Sequence, residues 1–258
     1  GQVSPNSKNI YLLGSLLGLL LPISLIVLKD LLNNKVASSN DVLSVIDVPI
    51  IGEINHHEHD EMLIVKEGSR DPISELYRLV RTNLRFLHRN EGHKVILVTS
   101  SMSGEGKTSF TTNLAASLAL TDKRVLMLEF DIRRPKMLSG IGMKAAKGIT
   151  NYLIDDTMSL GEIIHPVPGS RNLYAMGAGP IPPNPSELML SEKLKHMMAQ
   201  LKQEFDYVLL DSSPIGQVSD AFNLNEFVDS TIFIVRYNYT FKEQINIIKD
   251  IVLNKKMN

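Results

Sequence analysis

The sequence contains no cysteine and has no excess of either charge. Without cysteine, neither a disulfide framework nor a thiolate metal site can form. The 27 lysines and arginines nearly balance the 28 aspartates and glutamates, which argues against a nucleic-acid-binding protein, because such proteins are usually basic. Hydrophobic residues make up 43% of the 258 residues, a share typical of a packed globular protein. An initiator methionine is also missing, so we expect the chain to be part of a longer protein.

One long segment lacks charge altogether, namely residues 10–28 between Lys8 and Lys29. Its 19 mostly apolar residues come close to the roughly 20 that a helix needs to cross a bilayer. A signal peptide would have a shorter apolar part and a small-residue cleavage site, and a buried core helix rarely runs so long. We predict a transmembrane helix over residues 10–28, with residues 1–9 as the remnant of an extracytoplasmic part.

Residues 29–71 have the character of a juxtamembrane linker with a short strand-like piece, Val48–Ile54. Histidines and acids alternate in His56–Glu61, a composition that also occurs in metal-binding tracts. A solvated loop is the alternative interpretation of this stretch, and the one that we prefer.

From Pro72 onward, apolar runs alternate with helical patterns. Pro72 suits the first position of a helix, and a second helix is predicted from about Lys107 to Leu120. Four apolar runs predict buried strands, at residues 95–98, 125–128, 207–210 and 231–235. Such strands alternating with helices are typical of a mainly parallel sheet with helices on both faces. We therefore predict an α/β domain over residues 72–258, preceded by one transmembrane helix.

A glycine-containing loop, Ser100–Thr108, joins the first predicted strand to a helix. Its glycines let the backbone N–H groups converge on phosphate oxygens, and the helix N-terminus adds partial positive charge. This context indicates a P-loop NTPase-like fold with ATP as cofactor, although the usual first glycine is Ser101 here. We expect Lys107 to bridge the β- and γ-phosphates and Thr108 to ligate Mg²⁺. The predicted nucleotide-binding residues are Ser103, Gly104, Glu105, Gly106, Lys107, Thr108 and Ser109.

Three acidic residues close predicted strands at the edge of the sheet where ligands bind. Glu129 and Asp131 follow the second run, and because alternate residues of a strand point the same way, both are expected to face one pocket. Asp211 closes the third run. Since Mg²⁺ prefers oxygen ligands, the predicted metal ligands are Thr108, Glu129 and Asp211. An acid can also accept the proton of an attacking hydroxyl, and a lysine can stabilise the charge of a transferring phosphate. The predicted catalytic residues are therefore Lys107, Asp131 and Glu129.

Together these residues resemble the bacterial tyrosine kinase (BY-kinase) family, from about residue 40 to residue 253. The similar segments are Ser100–Thr108 (Walker A), Val125–Pro135 (Walker A′), Tyr207–Pro214 (Walker B), Gln217–Asp220, Val235–Arg236 and Pro182–Leu188. The resemblance implies the cytoplasmic P-loop domain of a polysaccharide co-polymerase. Such a protein would phosphorylate itself on tyrosine with Mg·ATP and regulate the chain length and export of capsular or exopolysaccharide.

Glu75-x-x-Arg78-x-x-Arg81 resembles the family element that docks a helix on a neighbouring subunit of a ring-like homo-oligomer. Alternatively, Glu75 and Arg78 form an ordinary i,i+3 pair worth about 0.2–0.5 kcal/mol. The resemblance also implies the polysaccharide export machinery and a cognate tyrosine phosphatase as partners, and no nucleic acid. It places the kinase domain in the cytoplasm, at the inner membrane of a bacterium.

Two features depart from the family pattern, and a third supports it. The first acid of the Walker A′ stretch is Glu129 instead of aspartate. Met102 stands where related cell-division and plasmid-partition ATPases carry an extra lysine, which favours the kinase family over those ATPases. The last tyrosine is Tyr239, so we expect a C-terminal strand and a tyrosine-rich tail to be missing. Two other functions stay open: an ATPase switch, which would release phosphate without phosphotyrosine, and a scaffold that binds ATP only to assemble.

Overall fold

The computed structural model describes residues 7–56, 61–87, 94–183, 185–216 and 220–254. Three of the sequence features fall wholly or largely outside these residues. They are most of the His56–Glu61 stretch, most of the Gln217–Asp220 match, and the C-terminal end after residue 254.

A six-stranded sheet forms the centre of the domain. Its strands are β1 (Lys94–Ser100), β2 (Val125–Glu129), β3 (His165–Pro166), β4 (Leu173–Met176), β5 (Tyr207–Asp211) and β6 (Ser230–Ile234). They lie in the order β3-β4-β2-β5-β1-β6, and only β3 is antiparallel to its neighbour. The four predicted strands and the mainly parallel sheet are confirmed. β3 and β4 escape prediction because their two and four residues are too few to give a clear pattern.

Helices precede, follow and connect these strands. They are α1 (Ser7–Leu31), α2 (Ser39–Leu43), α3 (Pro72–Leu87), α4 (Lys107–Ala119), α5 (Met137–Gly140), α6 (Ile149–Ile154), α7 (Pro185–Leu188), α8 (Glu192–Glu204), α9 (Asp220–Asn223) and α10 (Lys242–Leu253), with 3₁₀ turns at Leu160–Glu162 and Asn225–Phe227. Both predicted helix starts, Pro72 and Lys107, are confirmed.

The sheet is covered on both faces, as its apolar runs predict. Alternate residues of β1 belong to different clusters: Ile96 packs with the helices α3 and α4, whereas Leu97 packs with α8 on the opposite face. A third, smaller cluster joins Val36 and Ile46 to α10. Because all central strands are parallel, their carboxyl ends form one edge, and the predicted functional residues follow these ends.

α1 runs through Pro22 without interruption. None of its residues Ile10–Lys29 is buried against the rest of the described chain. The helix is therefore apolar and exposed on every side, and its length and composition are sufficient to cross a membrane.

The segment after α1 packs against the domain over much of its length, although its sequence resembles a linker. Val48–Ile54 is not a strand, contrary to the expectation, because it lies on helix α3 and not at an edge of the sheet. There the Asn83 side-chain amide donates to the Ile51 carbonyl at 2.9 Å. Gly52 lies so close to α3 that a Cβ at this position would be 2.5 Å from Val80.

Further along, one buried side chain holds the segment to α4. The Asn113 Oδ1 atom accepts the backbone N–H groups of Ile64 at 2.8 Å and Val65 at 3.0 Å, and its amide donates to the Met62 carbonyl at 2.8 Å. Asn113 thus replaces the backbone partners that a strand would have provided.

Replacement of Asn113 by alanine is expected to lower the free energy of unfolding by about 3 kcal/mol, because two buried N–H groups lose their acceptor. Urea unfolding followed by circular dichroism measures this change. Gln203→Ala, which removes an exposed amide from α8, is the control and should change stability by less than about 0.5 kcal/mol. Equal effects of the two substitutions would contradict the anchoring role of Asn113.

Candidate active site

The phosphate loop connects β1 to α4 at the carboxyl edge of the sheet. Gly104 and Gly106 have φ angles of 87° and 99°, a backbone region that favours glycine. A Cβ added at Gly106 would meet no other part of the described chain within 4 Å, so the backbone angle and not space requires glycine there. Helix α4 begins directly afterwards at Lys107, so that its N-terminus points toward the loop.

Ser101, at the position of the usual first glycine, is held by the side chain of Glu105. The Ser101 hydroxyl donates to Glu105 Oε1 at 2.9 Å, and the Met102 N–H donates to Glu105 Oε2 at 2.7 Å. Positive φ among the described non-glycine residues is confined to three positions, and Ser101 is not one of them. Serine therefore fits at 101. Since the Glu105 carboxylate is turned into the protein, only the backbone of Glu105 faces a nucleotide.

Lys107 and Asp211 lie buried beside each other at the start of α4 and the end of β5. Lys107 Nζ donates to the Ser100 hydroxyl at 3.1 Å. Burial lowers the pKa of Lys107, while nearby Asp211 and Asp131 act in the opposite direction. Burial raises the pKa of Asp211 to about 7, against the effect of a hydrogen bond with Thr108. Each group is thus pushed toward its neutral form.

The pair Thr108–Asp211 fits a divalent cation. Asp211 Oδ1 is a buried oxygen without a hydrogen-bond partner among the described residues, and the Thr108 hydroxyl is in contact with the same carboxylate. A hydroxyl and a carboxylate oxygen with remaining water ligands suit Mg²⁺. Among the described residues, no group of three or more histidines, aspartates or glutamates could hold a metal on its own.

The Glu129 side chain lies in the wall of a cleft at the carboxyl end of β2. Its carboxylate accepts the N–H of Met137 and, at 3.3 Å, the N–H of Ala178, and burial raises its pKa. The side chain therefore joins the two loops that enclose a cleft of about 380 Å³. Both oxygens are engaged in hydrogen bonds, which gives Glu129 a place in the wall of the site, and its contact with a metal stays a prediction.

The regular alternation of β2 ends between Glu129 and Asp131. β2 ends at Glu129, and the next two N–H groups, of Phe130 and Asp131, both donate to the Asp211 carbonyl, at 2.8 and 3.0 Å. Two successive donors on one acceptor break the strand alternation. Asp131 instead accepts from the Ser213 hydroxyl at 2.9 Å, a partner that the sequence analysis did not single out.

The loop after β6 also touches the phosphate loop, a contact that the sequence analysis missed. The Arg236 guanidinium donates to the Gly104 carbonyl at 2.7 Å, and the Tyr239 hydroxyl donates to the Ser103 carbonyl at 2.9 Å. The similarity of Val235–Arg236 to the family was visible in the sequence, but no pattern connects these positions to a loop about 130 residues away in the chain.

Glu75, Arg78 and Arg81 of α3 have partners within the same chain. Arg78 pairs with Glu75 and donates to the Ser69 carbonyl at 3.1 Å. Arg81 donates to the Ser117 carbonyl near the end of α4. The ordinary i,i+3 pair is therefore present. Glu75 is exposed, whereas Arg78 and Arg81 are half-buried.

Comparisons with known proteins agree with this architecture. The family described as an AAA domain matches residues 93–244. The tyrosine-protein kinase YwqD of Bacillus subtilis is 32% identical over 171 residues, which are 66% of this chain and 71% of that protein. The tyrosine-protein kinase wzc of Salmonella typhi is 28% identical over 92% of this chain but only 35% of its own length. The chain thus spans about a third of the longer relatives.

Solved structures give the same result. The chimerical protein CapA2B2 superimposes with a TM-score of 0.78 at 27% identity, over 86% of this chain and 95% of that one. The BceF tyrosine kinase domain has a TM-score of 0.74 at 26% identity, over 85% and 94%. A MinD structure with Mg-ADP from Pyrococcus horikoshii, at 18% identity and a TM-score of 0.53 over 64% and 67%, shares the fold.

The pKa of Asp211 predicts a pH-dependent stability. Between its ordinary value of 3.8 and about 7, the folded chain keeps a proton that the unfolded chain has released, so the free energy of unfolding falls as the pH rises through this interval. Asp211→Asn removes the effect. In the absence of nucleotide and metal, we expect this variant to be more stable than the parent at pH 8, by up to about 4 kcal/mol, with a smaller gap at pH 5.

Urea unfolding at both pH values tests this expectation. Asp156→Asn, which changes an acid whose side chain is 94% exposed, is the control and should show little difference between the two pH values. If the difference in unfolding free energy between Asp211→Asn and the parent does not grow with pH, the assigned pKa is contradicted.

Proposed function

The chain belongs to the bacterial tyrosine kinase family, and we propose that it transfers the γ-phosphoryl group of ATP to tyrosine hydroxyls on neighbouring copies of the protein. The relatives confirm the predicted family, the P-loop NTPase-like fold and the class of enzyme, a protein-tyrosine kinase. The observation that carries the proposal is the buried pair Lys107 and Asp211, with Thr108 in contact with Asp211, beside the two left-handed glycines of the loop.

In this proposal the phosphates lie on the N–H groups of residues 103–109, at the start of α4. Lys107 is released from Ser100 and reaches the β- and γ-phosphates, where it stabilises the charge of the transferring group. Thr108 and Asp211 hold Mg²⁺, which neutralises phosphate charge when it is bound. Glu129 holds the walls of the cleft together through Met137 and Ala178.

Asp131 receives the acceptor in the same scheme. The Ser213 hydroxyl and the Arg134 N–H both donate to its Oδ1 atom, which fixes the carboxylate and leaves Oδ2 for the tyrosine hydroxyl. The tyrosine oxygen forms a bond to the γ-phosphorus as the bond from that phosphorus to ADP breaks, and the tyrosine proton passes to Asp131 or to water.

The wider setting of the protein is part of the proposal. α1 anchors the chain in the bacterial inner membrane, and the nucleotide site lies on the cytoplasmic side, where ATP is present. Membership of the bacterial tyrosine kinase family supports a role in regulating polysaccharide chain length and export. A cognate tyrosine phosphatase reverses the modification.

Lys107→Met is expected to reduce phosphotyrosine formation by at least about 100-fold, because the charge that stabilises the transferring phosphoryl group is lost. The detergent-solubilised chain is incubated with Mg·ATP and a tyrosine-rich peptide, and phosphotyrosine is measured by immunoblot. Lys249→Met, on the exposed side of α10, is the control. Phosphate release without phosphotyrosine in the parent chain would contradict the kinase and indicate an ATPase switch.

We propose that Glu75, Arg78 and Arg81 also contribute to a ring-like homo-oligomer, since they match the family element and each keeps part of its surface exposed. Arg78→Ala combined with Arg81→Ala should then reduce the oligomer to smaller species in multi-angle light scattering. Arg85→Ala changes an exposed arginine of the same helix and should leave the mass unchanged. An unaltered mass in the double variant would count against assembly through this element.

A further inference from the structure

The loop after β6 contacts the phosphate loop at three successive residues, and the proposed mechanism uses none of these contacts. From the residues Arg236–Thr240, three side chains reach across. The Tyr239 hydroxyl donates to the Ser103 carbonyl at 2.9 Å, and Arg236 donates to the Gly104 carbonyl at 2.7 Å. The Thr240 hydroxyl donates to the Glu105 carboxylate.

Two of these contacts fix the direction of a peptide plane. In a trans peptide, the C=O of one residue and the N–H of the next point in opposite directions. When Tyr239 holds the Ser103 carbonyl on the outer side of the loop, the N–H of Gly104 must point to the inner side. In the same way, Arg236 directs the N–H of Glu105 inward. Within the described residues neither N–H has an acceptor, so both remain for phosphate oxygens.

The bracing residues are themselves fixed. The Arg236 guanidinium lies 5.1 Å from the centre of the Tyr239 ring, a cation–π distance. The N–H groups of Tyr239 and Thr240 donate to the Arg236 carbonyl at 3.2 and 3.0 Å, and the Arg236 N–H donates to the Thr240 hydroxyl at 2.9 Å. The two side chains therefore approach the phosphate loop from a closed turn.

Gly104 is matched to this arrangement. Its φ angle of 87° already favours glycine, and a Cβ at this position would lie 2.7 Å from the Tyr239 hydroxyl oxygen. A side chain at 104 would therefore displace Tyr239. Only glycine, which has no side chain, leaves space for the tyrosine hydroxyl at this position.

We propose that Arg236 and Tyr239 are positioning residues for the nucleotide: by holding the carbonyls of Ser103 and Gly104, they keep the next two N–H groups directed at the phosphates of ATP. The inference rests on the proposed function only for the identity of the ligand as a nucleotide. Neither side chain touches the reacting atoms. Their effect is to establish the loop geometry before ATP binds, which lowers the cost of ordering it.

Three variants of the full detergent-solubilised chain test this role through the Kd of a fluorescent ATP analogue. Tyr239→Phe keeps the ring under Arg236 but loses the donor, and should raise the Kd about 5-fold, the value of one hydrogen bond. Arg236→Ala should raise it by roughly 10-fold or more. Arg236→Lys, which still has a donor for the Gly104 carbonyl, should recover most of the affinity. Tyr237→Phe, at a tyrosine that is 71% exposed, is the matched control and should leave the Kd unchanged.

Kinetics and stability separate positioning from a general structural role. The KM for ATP should rise in Tyr239→Phe and Arg236→Ala while the KM for the acceptor peptide and the unfolding temperature stay as in the parent chain. A Kd within about twofold of the parent in both variants would overturn the proposal, as would a loss of affinity that only accompanies an equal loss of stability. Since the Kd is measured without phosphoryl transfer, a failure of the kinase assay leaves this test intact.

Discussion

The phosphate loop depends on the hydrogen bonds that the buried Glu105 carboxylate accepts. Glu105 is only 4% exposed, and a buried charge is tolerated only when hydrogen-bond donors surround it. The donors come from two places: Ser101 and Met102 at the start of the loop, and Thr240 after β6. The loop is therefore closed on itself and tied to the outermost strand of the sheet by one side chain. Its glycines can then present N–H groups instead of contributing to packing.

The turn that contains Thr240 is also hydrogen-bonded to the segment that follows α1. The N–H of Val36 donates to the Thr240 carbonyl at 2.9 Å, and the N–H of Asn238 donates to the Val36 carbonyl at 2.8 Å. Only residues 32–35 separate this pairing from the end of α1. The apolar helix is thus joined to the nucleotide site by backbone hydrogen bonds that do not depend on side-chain identity. The turn that supports the phosphate loop also pairs with the segment that follows the apolar helix.

The fold was predictable from the sequence where a pattern extends over many residues. The apolar runs around Val95, Val125 and Val208 gave buried strands, and the loop before Lys107 gave the site, because each of these depends on local chemistry. The orientation of single side chains was not predictable. Strand periodicity placed Glu129 with Asp131, but β2 ends between them where two N–H groups share the Asp211 carbonyl. The Glu129 carboxylate accepts from Met137 and Ala178, two partners that the strand pattern does not predict.

Contacts between distant segments were equally invisible. No pattern in the sequence shows that Tyr239 hydrogen-bonds to Ser103, or that Val48–Ile54 lies on α3, because both depend on how the finished layers pack. The alternation of residues in Val48–Ile54 is compatible with a strand, and only the position of α3 decides against one. Prediction from sequence therefore reaches the chemistry of this site but not the scaffold that orients it.

The electrostatics of the site indicate what kind of ligand it is built for. Burial shifts the pKa values of Lys107 and Asp211 toward their neutral forms, and an anion restores the charge of the lysine while a cation restores that of the aspartate. The two groups lie beside each other at the same buried end of the sheet, so a ligand that carries both signs stabilises the charged forms of both. A nucleotide phosphate with its bound magnesium has this property, and binding of such a ligand stabilises the folded chain by mass action.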